Sequence, residues 1–430
     1  MFTLTRKAPT TTIAIRKLIE HGINLKPHQR FAVKWASDKE RNHAPYGGII
    51  ADEMGLGKTL EIIALMLGRP KSKTLIIVPA NLISQWISEF KKFAPELNII
   101  SDNQIPPLES NYIMISSYIK ACRTKAFYHI RWDRLVLDEA HIIRNGKKGK
   151  IHKCLKKIRS VHKWCLTGTP IQNNVGDLVA LLKFIGFETV DLLEDAVRTH
   201  LLRRTKESVS IHLPAMAIEY IKLDTKENQQ YDTVCGTYDR HHLTKLIRER
   251  QYAIMPTMAI DGLKRGYKDA DDVSMIKLSS NIKLDTVIKN IVESQNNEKP
   301  IIFCQFKAEM AYIEDTLLAH NIVSGVINGS VDMHLRKPII DNHENYHCLI
   351  IQLQAGSTGL NLQMFDTVYF TSPHWNPTHE QQAIARIHRI GQTKPVTIKK
   401  FIINNTIETR IVSIQELKIE IAENIYSGDI

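Results

Sequence analysis

Short runs of β-branched and aliphatic residues recur along this chain, each followed by a turn and then by text with helical periodicity. In the first half they fall at 47–51, 74–78, 112–116, 134–137 and 163–166; in the second half at 300–304, 323–327, 347–351, 367–370 and 396–401. These runs are apolar throughout rather than alternating, which is the pattern of strands in a parallel sheet covered by helices on both faces. Two α/β sheets are the simplest arrangement. Between them the text changes: 226–250 is long, polar and charged at helical spacing, and 261–272 carries Gly and Asp. Such a segment cannot continue either sheet, so it predicts a helical insertion and connector. The expected organisation is a first lobe over 1–205, the insertion over 206–280, and a second lobe over 281–430, with a hinge and a cleft between the lobes.

Composition narrows the class without changing this picture. At about 150 residues per domain, a length of 430 gives two or three domains, and 43% apolar with 24% charged residues is the balance of a globular protein. The longest apolar runs, 74–79 and 300–303, fall far short of the roughly 18 residues that span a bilayer. Arg16 and Lys17 sit where a secretory peptide needs its apolar stretch, so an intracellular, non-secreted protein with no membrane partner is expected. None of the six cysteines falls in a CxxC pair, which predicts a reducing compartment, no disulfide framework and no zinc finger. Charge is uneven. Residues 1–205 hold 33 Lys and Arg against 18 Asp and Glu, a net +15, whereas 206–430 carry −3. A basic surface of this kind draws phosphate backbones by counterion release without reading sequence.

The candidate chemistry begins at Ala51-Asp52-Glu53-Met54-Gly55-Leu56-Gly57-Lys58-Thr59, which follows a predicted strand and opens an apolar helical stretch. Strand, loop and helix are the context of a phosphate-binding loop: backbone N–H groups point at the β- and γ-phosphates, Lys58 supplies a point charge and Thr59 offers a hydroxyl to Mg²⁺. The usual G-x-x-x-x-G-K-[ST] pattern is altered, with Asp52 in the first glycine position. The second element is Leu135-Val136-Leu137-Asp138-Glu139-Ala140-His141, an apolar strand ending in adjacent carboxylates. Ligands bind at the ends of parallel strands, and phosphoryl transfer needs one carboxylate for the metal and another for water. Asp138 is assigned the first role, through the water shell of Mg²⁺, and Glu139 that of general base.

Together these residues resemble the helicase superfamily-two ATPases, and within them the Swi/Snf-type DNA translocases. The resemblance runs from about residue 23 to 412 with its blocks in family order. Asp52 to Thr59 looks like the family's motif I, Asp52 included. The segment 25–35 with Gln29 is similar to the adenine-recognition segment, where a glutamine can read both edges of the base. Ile77-Val78-Pro79 with Gln85-Trp86 resembles motif Ia, Ser116-Ser117-Tyr118 the next DNA-facing block, and Leu166-Thr167-Gly168-Thr169-Pro170 motif III. In the second half, Ile302-Phe303-Cys304-Gln305-Phe306 resembles motif IV and Ala355-Gly356-Ser357-Thr358-Gly359-Leu360-Asn361-Leu362 motif V. Trp375-Asn376-Pro377 and the stretch 381–392 are similar to the motif VI region, where the Arg386/Arg389 spacing puts both guanidiniums on one helical face, in reach of the γ-phosphate. Leu202-Arg203-Arg204-Thr205-Lys206 looks closest to the repair-associated branch, but without that branch's RING module.

The resemblance implies two RecA-like lobes that bind ATP and Mg²⁺ through residues 52–59, Gln29, Asp138, Glu139, Gly359, Arg386 and Arg389. It implies a grip on double-stranded DNA through Pro79, Ser116, Ser117, Gln305, Phe306, Ser357, Thr358 and Trp375. The expected protein is a monomeric, DNA-stimulated ATPase, close to a bare motor, that displaces or remodels nucleosomes or other DNA-bound proteins. Its abundance of Ile, Lys and Asn fits an AT-rich genome, and a nucleus or a viral replication compartment is the expected location. Two rivals remain at this point, a DEAH-containing RNA helicase and a catalytically silent nucleic-acid-binding module.

Overall fold

Successive side chains of a strand point to opposite faces of its sheet, so a strand that is apolar throughout has to be covered twice. The sheet of the first lobe meets that condition. It comprises β1 (Gly47–Ile50), β2 (Lys73–Val78), β3 (Ile99–Ser101), β4 (Tyr112–Ser117), β5 (Trp132–Asp138), β6 (Ser160–Leu166) and β7 (Leu201–Leu202), all parallel, in the order β3-β4-β2-β5-β6-β1-β7. On one face Leu75, Ile77, Leu135 and Leu137 form a core with Leu178, Leu181 and Leu182 of the helix Val175–Ile185. On the other, Ile76, Val78, Val136 and Leu166 pack against the helices Lys58–Gly68 and Ile83–Phe93 through Ile62, Ile63, Trp86 and Phe90.

These relationships come from a computed structural model, which describes residues 10–71, 73–101, 111–144, 149–188, 193–224, 231, 242–266, 281–294, 299–356 and 360–427. The chain divides into one unit of residues 1–212 with 421–430 and a second unit, Leu213–Glu420. Among the described residues the second unit is built on a parallel sheet of β8 (Met216–Leu223), β9 (Ile301–Cys304), β10 (Ser324–Ile327), β11 (Cys348–Gln352), β12 (Thr367–Phe370) and β13 (Val396–Ile403), ordered β10-β11-β9-β12-β13-β8. It too is covered on both faces, with Ile302, Ile350 and Tyr369 on one side and Ile301, Phe303, Leu349 and Phe370 on the other. The α/β class and the two parallel sheets are as the hydrophobic pattern predicts.

The expectation that residues 206–280 join neither sheet is corrected. Met216–Leu223 pairs along its full length with β13, from Met216 opposite Val396 to Leu223 opposite Ile403. As an edge strand it gains hydrogen bonds on one side only, and its side chains lie largely in solvent, with Met216, Ile218 and Tyr220 at 42%, 43% and 47% exposure. Its text carries the strand formers Ile218, Tyr220 and Ile221, but its place in the sheet is set by backbone pairing with β13, far along the chain. Downstream, the helices His242–Ile254 and Pro256–Gly266 are present as expected, and the second carries helix into the stretch expected as connector. Ile254 and Met258 pack into the second unit's core. Residues 267–280 lie outside the described residues.

Candidate functional site

β1 hands the chain to residues 51–57, and the helix Lys58–Gly68 begins directly after them. The turn is made by two glycines in the left-handed region, Gly55 at φ 92° and Gly57 at φ 95°, a conformation that only glycine adopts without strain. A side chain at Gly57 would also collide with the Gln29 amide. Lys58 folds its ammonium back toward the loop, donating to the carbonyls of Asp52 (2.7 Å) and Glu53 (3.4 Å). Burial lowers the Lys58 pKa, against the opposing charges of Glu139, Asp52, Asp138 and Glu61. The structure therefore brings the two motifs, far apart in sequence, within electrostatic reach of each other in one lobe. The first N–H groups of the following helix have no partner within it, the arrangement that receives phosphate oxygens.

Asp138 closes β5. Its backbone carbonyl accepts from the Tyr118 hydroxyl at 2.7 Å, and its carboxylate accepts from Trp86 Nε1 at 2.8 Å and from the Glu139 N–H at 2.9 Å. Burial and the neighbouring Glu139 push its carboxyl up to about 6. Glu139 adopts a left-handed conformation at φ 51°, rare for a residue with a side chain, and its carboxylate lies 3.3 Å from His141 Nδ1. The same nitrogen is 3.4 Å from Thr167 Oγ1, which accepts from the Thr169 N–H at 3.1 Å. A side chain at Gly168 would sit 2.7 Å from Met54 Cγ, so only glycine lets the 166–170 segment approach the loop this closely. Among the described residues no cluster of three or more His, Cys, Asp or Glu forms a protein cage for a metal. Asp138 at the end of β5 and Thr59 at the helix start offer oxygen donors of the kind Mg²⁺ takes, one or two protein groups completed by water and phosphate oxygens.

Two assignments change in this lobe, those of Asp52 and Ser116. The Asp52 carboxylate, 0% exposed, is not turned to the cradle but is held by Arg204, with Nε donating to Oδ1 at 3.0 Å and Nη2 bonding Oδ2. Gln29 is already engaged at both ends of its amide, accepting from the Lys26 N–H at 3.0 Å and donating to the Leu56 carbonyl at 3.1 Å. It pins the glycine loop as well as offering one further bond at each end. Ser116 is fully buried at 0% exposure because the sheet is covered on both faces there, so it cannot touch DNA. Ser117 instead caps the helix Tyr118–Arg123 by accepting from the Lys120 N–H, and Pro79 remains half-buried at the end of β2. Sequence reasoning missed Glu61, whose carboxylate accepts from Arg204 Nη2 at 2.9 Å and is pushed up to about 8 by burial and by Asp52. The available signal was a lone acid inside the apolar stretch 60–67.

In the second lobe Gln305 and Phe306 follow β9, and both backbone N–H groups donate to the Glu309 carboxylate, that of Phe306 at 2.7 Å. Trp375 is half-buried, and its carbonyl accepts from Lys418 Nζ at 3.1 Å. Arg386 and Arg389 do not share a helical face. The helix Pro377–Ile384 stops before them, and residues 385–391 form successive tight turns. The Gln392 side chain anchors the end of this stretch, donating to the carbonyls of Gln363 (3.1 Å) and Phe365 (2.9 Å), while Gly391 takes φ 101°. Ser357, Thr358 and Gly359 lie outside the described residues.

Comparison with known proteins follows the same order. Residues 28–191 match the SNF2-related domain, and residues 282–391 match the helicase conserved C-terminal domain. An uncharacterized ATP-dependent helicase of Mycoplasma genitalium is 31% identical over 95% of this chain, which spans 43% of that relative's length. A probable global transactivator of Orgyia pseudotsugata multicapsid polyhedrosis virus is 26% identical over 94% of this chain and 91% of its own. The solved SWI2/SNF2 ATPase core of Sulfolobus solfataricus in complex with dsDNA aligns over 95% of this chain and 94% of its own, at 24% identity and a TM-score of 0.43. With both domains matched in sequence order, the chain belongs to the SNF2-related family.

Proposed function

We propose that this chain is an ATP-driven motor that moves along double-stranded DNA and displaces or remodels the proteins bound to it, nucleosomes among them. The observation that carries this reading is the Lys58 ammonium at the glycine loop with Asp138 and Glu139 as its charged neighbours, the combination phosphoryl transfer requires. Residues 53–59 cradle the triphosphate, and Gln29 uses its remaining donor and acceptor for adenine. Lys58 exchanges its carbonyl partners for β- and γ-phosphate oxygens. Glu139 orients the attacking water and takes its proton, and Thr59 and Asp138 would hold Mg²⁺. When bound, the ion would supply positive charge against the charge that develops on the phosphate oxygens. The family resemblance assigns Arg386 and Arg389 to the γ-phosphate as guanidinium charge, and Gly359 to nucleotide binding.

Pro79, Ser117, Gln305, Phe306, Ser357, Thr358 and Trp375 grip the DNA mainly through its phosphates, which gives affinity without sequence preference. The net charge of +15 over residues 1–205 supports a polyanion partner. The motor acts as a monomer, in a nucleus or a viral replication compartment; similarity to a probable viral global transactivator supports the latter. Steady-state ATP hydrolysis, measured without polymer and with duplex DNA, single-stranded DNA or structured RNA, tests the proposal. Duplex DNA should stimulate the rate about tenfold or more, and Glu139→Gln should abolish hydrolysis while nucleotide still binds. Stimulation by RNA alone would replace the reading with an RNA helicase, and no hydrolysis under any condition would refute it.

A further inference from the structure

Arg204 is drawn into the fold of the phosphate loop from far along the chain, just after β7. Its guanidinium takes both oxygens of Asp52, one oxygen of Glu61 at 2.9 Å, and the carbonyl of His28. Its own carbonyl accepts from the Glu53 N–H at 2.8 Å. One residue therefore ties together three pieces that have to be in register for a nucleotide: the segment carrying Gln29, the loop 51–57, and the helix that Lys58 opens. The planar fork of a guanidinium is suited to holding several acceptors at fixed angles, which a lysine ammonium is not.

We propose that Arg204 is a positioning residue for nucleotide binding, one that never touches the phosphates but fixes the loop and the adenine segment relative to each other through Asp52, Glu61 and the His28 carbonyl. This rests on the reading of residues 53–59 as the ATP cradle. It also explains why an acid stands at position 52, where the general phosphate-loop pattern has glycine. The acid is the handle by which the loop is held, and its side chain is fully buried in that task. A purely structural ion pair would lower the stability of the fold without selecting nucleotide affinity. A positioning residue changes affinity for ATP in both the ground and transition states, so KM rises while kcat is largely kept.

Full-length Arg204→Lys and Asp52→Asn, singly and together, are compared with the parent and with Lys58→Ala. The readouts are ATP hydrolysis and calorimetric affinity for a non-hydrolysable ATP analogue. Arg204→Lys should raise KM and weaken analogue binding about tenfold with kcat within about threefold. The double variant should bind no more weakly than the worse single one, because the two side chains act through each other. Asp52→Asn alone should weaken analogue binding, which keeps the test open if the lysine variant folds poorly. Parental affinity in Arg204→Lys or Asp52→Asn, with binding lost in Lys58→Ala, overturns this inference alone, as do fully additive losses. Unchanged affinity in Lys58→Ala overturns the ATP-cradle reading, and this inference falls with it.

Discussion

Replacing Glu40 by glutamine should remove a measurable share of the first lobe's stability, and should do so only above a definable pH. Glu40 ends the helix Pro27–Asn42 and is 2% exposed. Its carboxylate accepts from Arg134 Nε (2.7 Å) and Nη2 (2.9 Å), from Trp164 Nε1 (3.0 Å) and from Arg69 Nε (3.1 Å), linking the helix to β5 and β6. Burial would raise the carboxyl, but the Arg134 guanidinium, aided by His162 and Trp164, outweighs it and holds the group at about 2, against an ordinary 4.5. That difference corresponds to about 3 kcal/mol at neutral pH, in line with the cost of breaking one side of a buried pair. The folded pKa lies below the unfolded one, so between pH 2 and 4.5 the unfolded chain binds more protons. The stabilisation is complete above the unfolded value and is lost as pH falls through that window; at pH 3.5 about 1.4 kcal/mol of it is gone. Trp35, Trp86, Trp132 and Trp164 lie in the first unit and only Trp375 in the second, so tryptophan emission during urea unfolding reports the relevant lobe. The parent should exceed Glu40→Gln by about 3 kcal/mol at pH 7.5 and by about half that at pH 3.5. A difference below about 0.5 kcal/mol at pH 7.5, or one that does not shrink on acidification, would refute the reasoning.

Two further outcomes are expected. Gly47→Ala should abolish soluble first-lobe structure, since Gly47 has φ 134° and a Cβ there would run into the Lys163 backbone paired beside it; expression and far-UV circular dichroism of the full chain check this. Glu309→Gln should gain stability over the parent as pH rises from 5 to 8, because burial pushes the Glu309 carboxyl up to about 7 and ionising it costs the parent fold. Thermal melting across that pH range reads the growing gap, and a constant gap would contradict it.

Much of the architecture was legible because it rests on local text. A run such as 74–78 can lie only between two apolar layers, and the structure sends Leu75 and Ile77 to one and Ile76 and Val78 to the other. The phosphate loop was equally readable, since the left-handed turns at Gly55 and Gly57 demand glycine wherever they occur. What failed depended on partners distant in sequence or on where a local element stops. The spacing of Asp52 and Arg204 carries no signal, yet their pairing decides which way the Asp52 side chain faces. Arg386 and Arg389 have helical spacing, but the helix ends at Ile384 and the chain turns on to Gly391, which takes φ 101°. Ser116 reads as polar text at a strand end, and only the layer above the sheet shows that it is enclosed.

The first unit's inclusion of residues 421–430 bears on how this chain comes off the ribosome. Ile425 lies in the same core as Leu135 and Leu137, with Ile421, Ala422 and Tyr426 packed against it, and the Arg203 guanidinium stacks 3.9 Å above the Tyr426 ring. Domains generally fold in the order in which they are synthesised, but this one receives the apolar contributors Ile421 to Tyr426 only after the second unit has been made. The nascent first lobe therefore carries an uncovered apolar face while the whole second lobe is being made, the condition in which chaperones are recruited. A chain stopped before Ile421 would lose core of the lobe that was translated first.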